Sequence, residues 1–188
     1  MCQQASRLNE EQGCAQDIAI LEESYLGTSV ADESVDLVIS MDALLHVGPE
    51  GQRKAMKEAA RVLRPGGWMI FSDIMQQEQA DPSEMAPIYE RIHLSKMGTV
   101  SNYKDAMDKV GFRKFDFLQA ASTNVSNHYG TVCQVLEEKG DALGISPEYQ
   151  ERMKAGLTHW RDLAIKNIVW GFVVAQKCAK VDLDDMSV

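Results

Sequence analysis

The side chains best able to do chemistry fall at a few points along the chain. Asp42 and His46 stand four positions apart, just past a short apolar run over 35–40 that ends in Ser40. A carboxylate there could face a cationic centre of a ligand, and an imidazole could hydrogen-bond a substrate or accept a proton near neutral pH. Each also has a plain role open to it: Asp42 could cap the turn, and His46 the next helix. Arg91 is the cation to follow, because a guanidinium binds a carboxylate through two parallel hydrogen bonds that orient as well as hold it. On a helix it could equally be a solvated surface group. Tyr129 offers an aromatic face to a developing cation, worth about 0.5 to 2 kcal/mol, or else packs on the core where its helix begins. The four cysteines, Cys2, Cys14, Cys133 and Cys178, form no CxxC pair and no metal-like spacing with histidine. Reduced thiols and no metal site are therefore expected.

Residues 35–73 must position the first of these groups. The β-branched run 35–40 reads as a buried parallel strand. Pro49 suits a first helical position and Glu50 the positive end of the helix dipole. Ala55, Met56, Ala59, Ala60 and Leu63 then recur at helical spacing until Arg64-Pro65-Gly66-Gly67 stops the helix. A second strand over 68–71 ends in polar Ser72 and Asp73. Such a βαβ unit places ligands beyond the carboxyl ends of its strands. Upstream, 1–16 predicts a weakly buried helix and 17–21 a short strand. Downstream, the Gln-rich stretch 76–79 reads as non-core. A helix over 83–96 carries Arg91 and His93, a further one is capped by Ser101 and runs to about Val110, and a strand follows over 112–118. Helices over 128–139 and 146–166 lead to a last strand over 168–175 and an acidic tail over 181–188. One domain over 1–180 is expected, with helical insertions at about 76–100 and 124–166.

The unit at 35–73, with SMDA (40–43), VLRPGG (62–67) and a strand ending in SD (72–73), resembles the central part of the Rossmann-like S-adenosylmethionine (SAM)-dependent methyltransferases. RIHLSKMG (91–98), SNHYGTV (126–132), GLTHW (156–160) and WGFV (170–173) narrow the resemblance to the sarcosine/dimethylglycine N-methyltransferases, from about Leu8 to Lys177. The resemblance implies an α/β fold with SAM as cofactor and methylation of a small amine carrying a carboxylate, toward glycine betaine. It assigns Arg91 to the substrate carboxylate, Tyr129 to the amine, and Asp42 and His46 to the catalytic centre. On the cofactor side it implies Glu22, Ser24 and Tyr25 in the loop along the adenine, with Ser40 at the strand end. Glu22 could also be simply a solvated loop acid, and Ser24 stands where many relatives carry an aspartate. The family's usual SQDA is SMDA here, so Met41 replaces an amide that could orient substrate.

No Gly-x-Gly occurs in the 188 residues, although these enzymes open with a strand and a glycine-rich loop that approaches SAM. The expectation is a methyltransferase sheet lacking its first two strands, enzymatic in the complete protein, with the missing loop on another part of the protein or a partner chain. A non-catalytic methyltransferase-like binding module or partner subunit is the alternative. Composition fits either: 45% hydrophobic residues can fill one substantial core, and a net charge of −9 without a Lys/Arg cluster argues against nucleic-acid or anionic-membrane partners. No membrane-length apolar run or signal peptide is present, which points to the cytoplasm.

Overall fold

The computed structural model describes residues 2–179; the acidic tail expected at 181–188 lies outside them. Four strands form a sheet in the order β1-β2-β4-β3. β1 (Val35–Met41) runs parallel to β2 (Leu63–Gln76), whereas β4 (Ile168–Lys177) is antiparallel to β2 and to β3 (Phe112–Ala120). The helix between β1 and β2, α2 (Gly48–Val62), buries the expected stripe of Ala55, Met56, Ala59 and Ala60. With Tyr103, Ala106 and Met107 of α4 (Val100–Lys109), that stripe covers one face of the sheet, on Met69, Phe71, Met75 and Val173.

A second helical group gathers where β1 and β2 end. α3 (Pro82–Arg91) and α6 (Pro147–Asn167) share a core of Met85, Ile88 and Trp160, and α5 (Ser122–Lys139) packs along α6 through Cys133, Leu136 and Leu157. The α6 start follows its sequence signals, with Ser146 accepting from the Tyr149 N–H and Pro147 at the first position. α1 (Cys2–Glu11) buries no side chain.

Five local expectations are corrected. Residues 17–21 are not a strand: they lie outside the sheet with Ile18, Ile20 and Leu21 exposed, and alternation makes a strand only where a neighbour offers pairing. Arg64 to Gly67 ends α2 but does not break the extended chain, since β2 already begins at Leu63, opposite Val35. The four residues bulge opposite Asp36; Gly66 takes φ 81°, and a Cβ on Gly67 would sit 3.0 Å from the Asp36 carbonyl oxygen. The stretch 76–79 starts inside the core: Gln76 is buried, its Oε1 accepting from the Tyr89 hydroxyl at 2.7 Å and the Met97 N–H at 3.1 Å. The helix expected to reach residue 96 ends at Arg91, because His93 turns left-handed at φ 56° and the Leu94 N–H donates back to the Tyr89 carbonyl at 3.0 Å. Ser101 is not the cap of α4. Thr99 is, in a capping box with Asn102, while Ser101 hydrogen-bonds Glu78.

Candidate active site

β1, β2 and β4 bring one end of the sheet under the α3–α5–α6 group, and a cavity of about 550 Å³ lies between them. Asp42, His46, Arg91 and Tyr129, which the sequence singled out, all line it. Asp42 follows β1 directly and takes φ 46°, a conformation that aspartate tolerates better than most side chains. Its N–H donates to the Ser72 carbonyl at 2.9 Å, fixing it to the adjacent strand. Ser72 Oγ and Trp170 Nε1 both donate to Asp42 Oδ1, at 3.0 and 3.1 Å. Oδ2 accepts no hydrogen bond among the described residues, which leaves a carboxylate oxygen for a cationic ligand.

His46 sits on the 3₁₀ turn Leu44–Val47, a piece that periodicity did not reveal. That turn is held from below by Asp73, whose Oδ1 accepts from the Leu45 N–H at 3.1 Å and whose Oδ2 accepts from the Tyr103 hydroxyl at 2.5 Å. Asp73 is fully buried. Burial pushes its carboxyl up to about 7; the Tyr103 and Leu45 hydrogen bonds oppose that rise and the charge of Asp42 adds to it. The same burial, with Asp73 beside it, raises the Tyr103 hydroxyl well above its usual value.

The last residue of α3 is Arg91, and its Nη2 makes a hydrogen bond to the Met153 sulfur of α6, at 3.3 Å. A thioether is a weak acceptor, so the guanidinium keeps donors for a carboxylate. Tyr129 lies between the charges: burial raises its hydroxyl, Asp42 raises it further and Arg91 lowers it. Its ring stands 5.5 Å from Trp160, and Trp170 stands 5.6 Å from Phe172. Tyr129, Trp160 and Trp170 thus give the cavity three aromatic walls. The arrangement suits a small zwitterion, its carboxylate on Arg91 and its cationic nitrogen against aromatic faces and Asp42.

Trp170, Asn124 and His128 also line the cavity without having been singled out. The signal for Trp170 was its place in WGFV; its position in the cavity wall depends on pairing opposite Ile74, which only the folded sheet supplies. Trp160 is both buried and part of the wall.

A second cavity, about 800 Å³, opens along β1 and is lined by Tyr25, Ser40 and Met41 together with Leu37 and Ile39. Met41, expected beside the substrate, faces this second cavity and is 65% exposed, because strand alternation and the turn at Asp42 separate it from the first. Glu22 and Ser24 stay on the exposed loop outside both linings. The apolar floor with Tyr25 and Ser40 fits an adenosyl group. It offers little for a ribose or an amino-acid end: its carboxylate, Glu58, is taken by Thr28 and Arg61, and those hydrogen bonds lower its carboxyl to about 2.

No group of three or more His, Cys, Asp or Glu side chains placed to hold a metal ion occurs among the described residues. No helix among them is long and apolar enough to cross a membrane. The four cysteines are unpaired.

A family described as the methyltransferase domain matches residues 1–71. The chain is 35% identical over 174 residues to a curated sarcosine/dimethylglycine N-methyltransferase of Aphanothece halophytica, an alignment covering 91% of this chain and 62% of that protein. A provisionally named sarcosine dimethylglycine methyltransferase from Galdieria sulphuraria, solved by crystallography, superposes with a TM-score of 0.86 at 30% identity, over 95% of this chain and 66% of that one. Phosphoethanolamine N-methyltransferase 2 of Haemonchus contortus, solved with phosphomonomethylethanolamine and S-adenosylhomocysteine, superposes at 0.70 with 15% identity, over 82% of this chain and 36% of that one, a likeness in fold alone. The chain spans less than two thirds of the curated relative's length.

Proposed function

We propose, from the premise that this chain belongs to the Rossmann-like SAM-dependent methyltransferase superfamily, that it forms the substrate-binding part of an N-methyltransferase acting on sarcosine and dimethylglycine toward glycine betaine, an osmoprotectant. The observation that carries the substrate reading is Arg91: a guanidinium whose protein partner is a methionine sulfur, lining the same cavity as Asp42, His46 and Tyr129.

SAM supplies, when bound, a methyl group on a sulfonium, open to in-line displacement by an amine. The protein's task is to hold that amine in line, with its lone pair unprotonated. Arg91 clamps the substrate carboxylate, which fixes the distance from the clamp to the nitrogen. Asp42 Oδ2 and the rings of Tyr129 and Trp170 favour the positive charge that grows on nitrogen as the new bond forms. His46 accepts the amine proton, directly or through water. Tyr25, Ser40 and the apolar strip of Leu37, Ile39 and Met41 hold the adenosyl side. A glycine-rich segment outside these 188 residues, in the same protein or a partner chain, completes that side.

Arg91→Ala in the complete enzyme tests the reading. Its KM for dimethylglycine should rise on the order of 100-fold, as expected for losing charge-assisted hydrogen bonds, with a smaller change in kcat. An unchanged KM removes Arg91 from the site. The engagement of Glu58 favours a second reading, a binding module that does not hold SAM. Calorimetry separates the two: SAM binding that appears when a glycine-rich segment is added supports the enzyme, and none in either form supports the module.

A further inference from the structure

We infer that Gly156 is a positioning residue: its missing side chain makes the seat in which the Arg91 guanidinium lies. The inference rests on the reading of Arg91 as the carboxylate clamp. Met153, Gly156, Leu157 and Trp160 recur at i, i+3, i+4 and i+7, so they form one stripe of α6. Leu157 and Trp160 of that stripe are buried and line the substrate cavity, and Met153 accepts the Nη2 hydrogen bond. Gly156 stands among them. A Cβ built on it would lie 2.9 Å from Arg91 Nε, 2.5 Å from Cζ and closer still to Nη1. The atoms of the planar group that approach the helix here meet it where a side chain is absent.

Backbone conformation does not call for glycine at this position. Gly156 is interior to α6 and is not in the left-handed region, unlike Gly66 or Gly111. In such a place glycine weakens a helix relative to alanine. The residue that a Cβ would strike is the far end of a long side chain, which can swing aside without disturbing the core. Alanine would therefore leave the fold intact and push the guanidinium off α6 and into the cavity, away from the direction in which its two parallel hydrogen bonds meet a carboxylate.

The test is calorimetric titration of dimethylglycine into the 188-residue chain, into Gly156→Ala and into Arg91→Ala, with a thermal unfolding midpoint for each. Gly156→Ala should weaken binding by about tenfold, a misplaced-clamp effect of the size of one lost hydrogen bond to a charge, while its midpoint equals or exceeds that of the parent. Arg91→Ala should weaken binding at least as much. Unchanged binding in Gly156→Ala beside a loss in Arg91→Ala overturns the seat and leaves the clamp standing. A weaker Gly156→Ala with a lowered midpoint assigns the glycine to helix packing and also overturns it. Unchanged binding in Arg91→Ala, or no binding by the parent chain, overturns the substrate reading and the inference with it.

Discussion

Asp73 carries a steep electrostatic demand, because it is fully buried and yet titratable near neutrality. The unfolded chain gives up this proton near the ordinary carboxylate value of 3.8, the folded chain only at about 7. The native state therefore binds the extra proton between those values, and stability falls as pH rises through that window, then levels off above it. Asp73→Asn has no proton to lose. Its unfolding free energy should be flatter than the parent's between pH 4 and 7, as followed by denaturant titration at several pH values; an unaltered slope would contradict the assignment. The sequence showed Asp73 as a polar strand end facing a cleft, and its burial was hidden because the covering residue, Tyr103, lies 30 positions away. Asp42, His46, Arg91 and Tyr129 were legible at this scale because each sits in a short motif beside a recognisable element. Trp170 was not, because its link to Asp42 spans 128 positions.

Elements follow local signals where the signals are self-contained. α2 buries the stripe that its spacing announces, and Ser146 with Pro147 starts α6 as the residue types require. Ends set by distant partners were harder to read. β2 runs on to Gln76 because β4 pairs along its whole second half, and the polar Gln76 is paid for by two hydrogen bonds from Tyr89 and Met97. The start of α4 was misplaced by two residues because Thr99 and Ser101 are both good caps, and only geometry shows which accepts the helical N–H. Thr99→Ala should cost about 1 kcal/mol in unfolding free energy. Ser101→Ala keeps the backbone N–H bond to Glu78 and loses only the hydroxyl contacts to Glu78 and to the Thr99 hydroxyl, so it should cost less. Equal losses by chemical denaturation would return the cap to Ser101.

Across the whole molecule, one face of the sheet is sealed by α2 and α4 and the other is not. Leu37, Ile39, Trp68, Leu118 and Phe172 alternate onto that second face, aligned by the pairs Leu37 to Trp68 and Leu118 to Phe172. Ile39 and Leu118 are each 61% exposed. An apolar surface of this kind, running to the free edge of β1, favours association, against which a net charge of −9 is a weak and salt-screened defence. Sedimentation should show the 188-residue chain associating more as salt rises, and Ile39→Lys should weaken that association about tenfold or more. A monomer at every salt concentration would contradict it. Two of the three tryptophans, Trp160 and Trp170, stand in the cavity wall, while the third, Trp68, lies under Lys114 elsewhere on the sheet. The cavity therefore contains its own fluorophores. In a Trp68→Phe chain all the indole light comes from the wall of that cavity, and filling it with dimethylglycine should displace water from the partly exposed Trp170 ring, Trp160 being buried already, and move the emission to the blue, so occupancy can be read optically with no label.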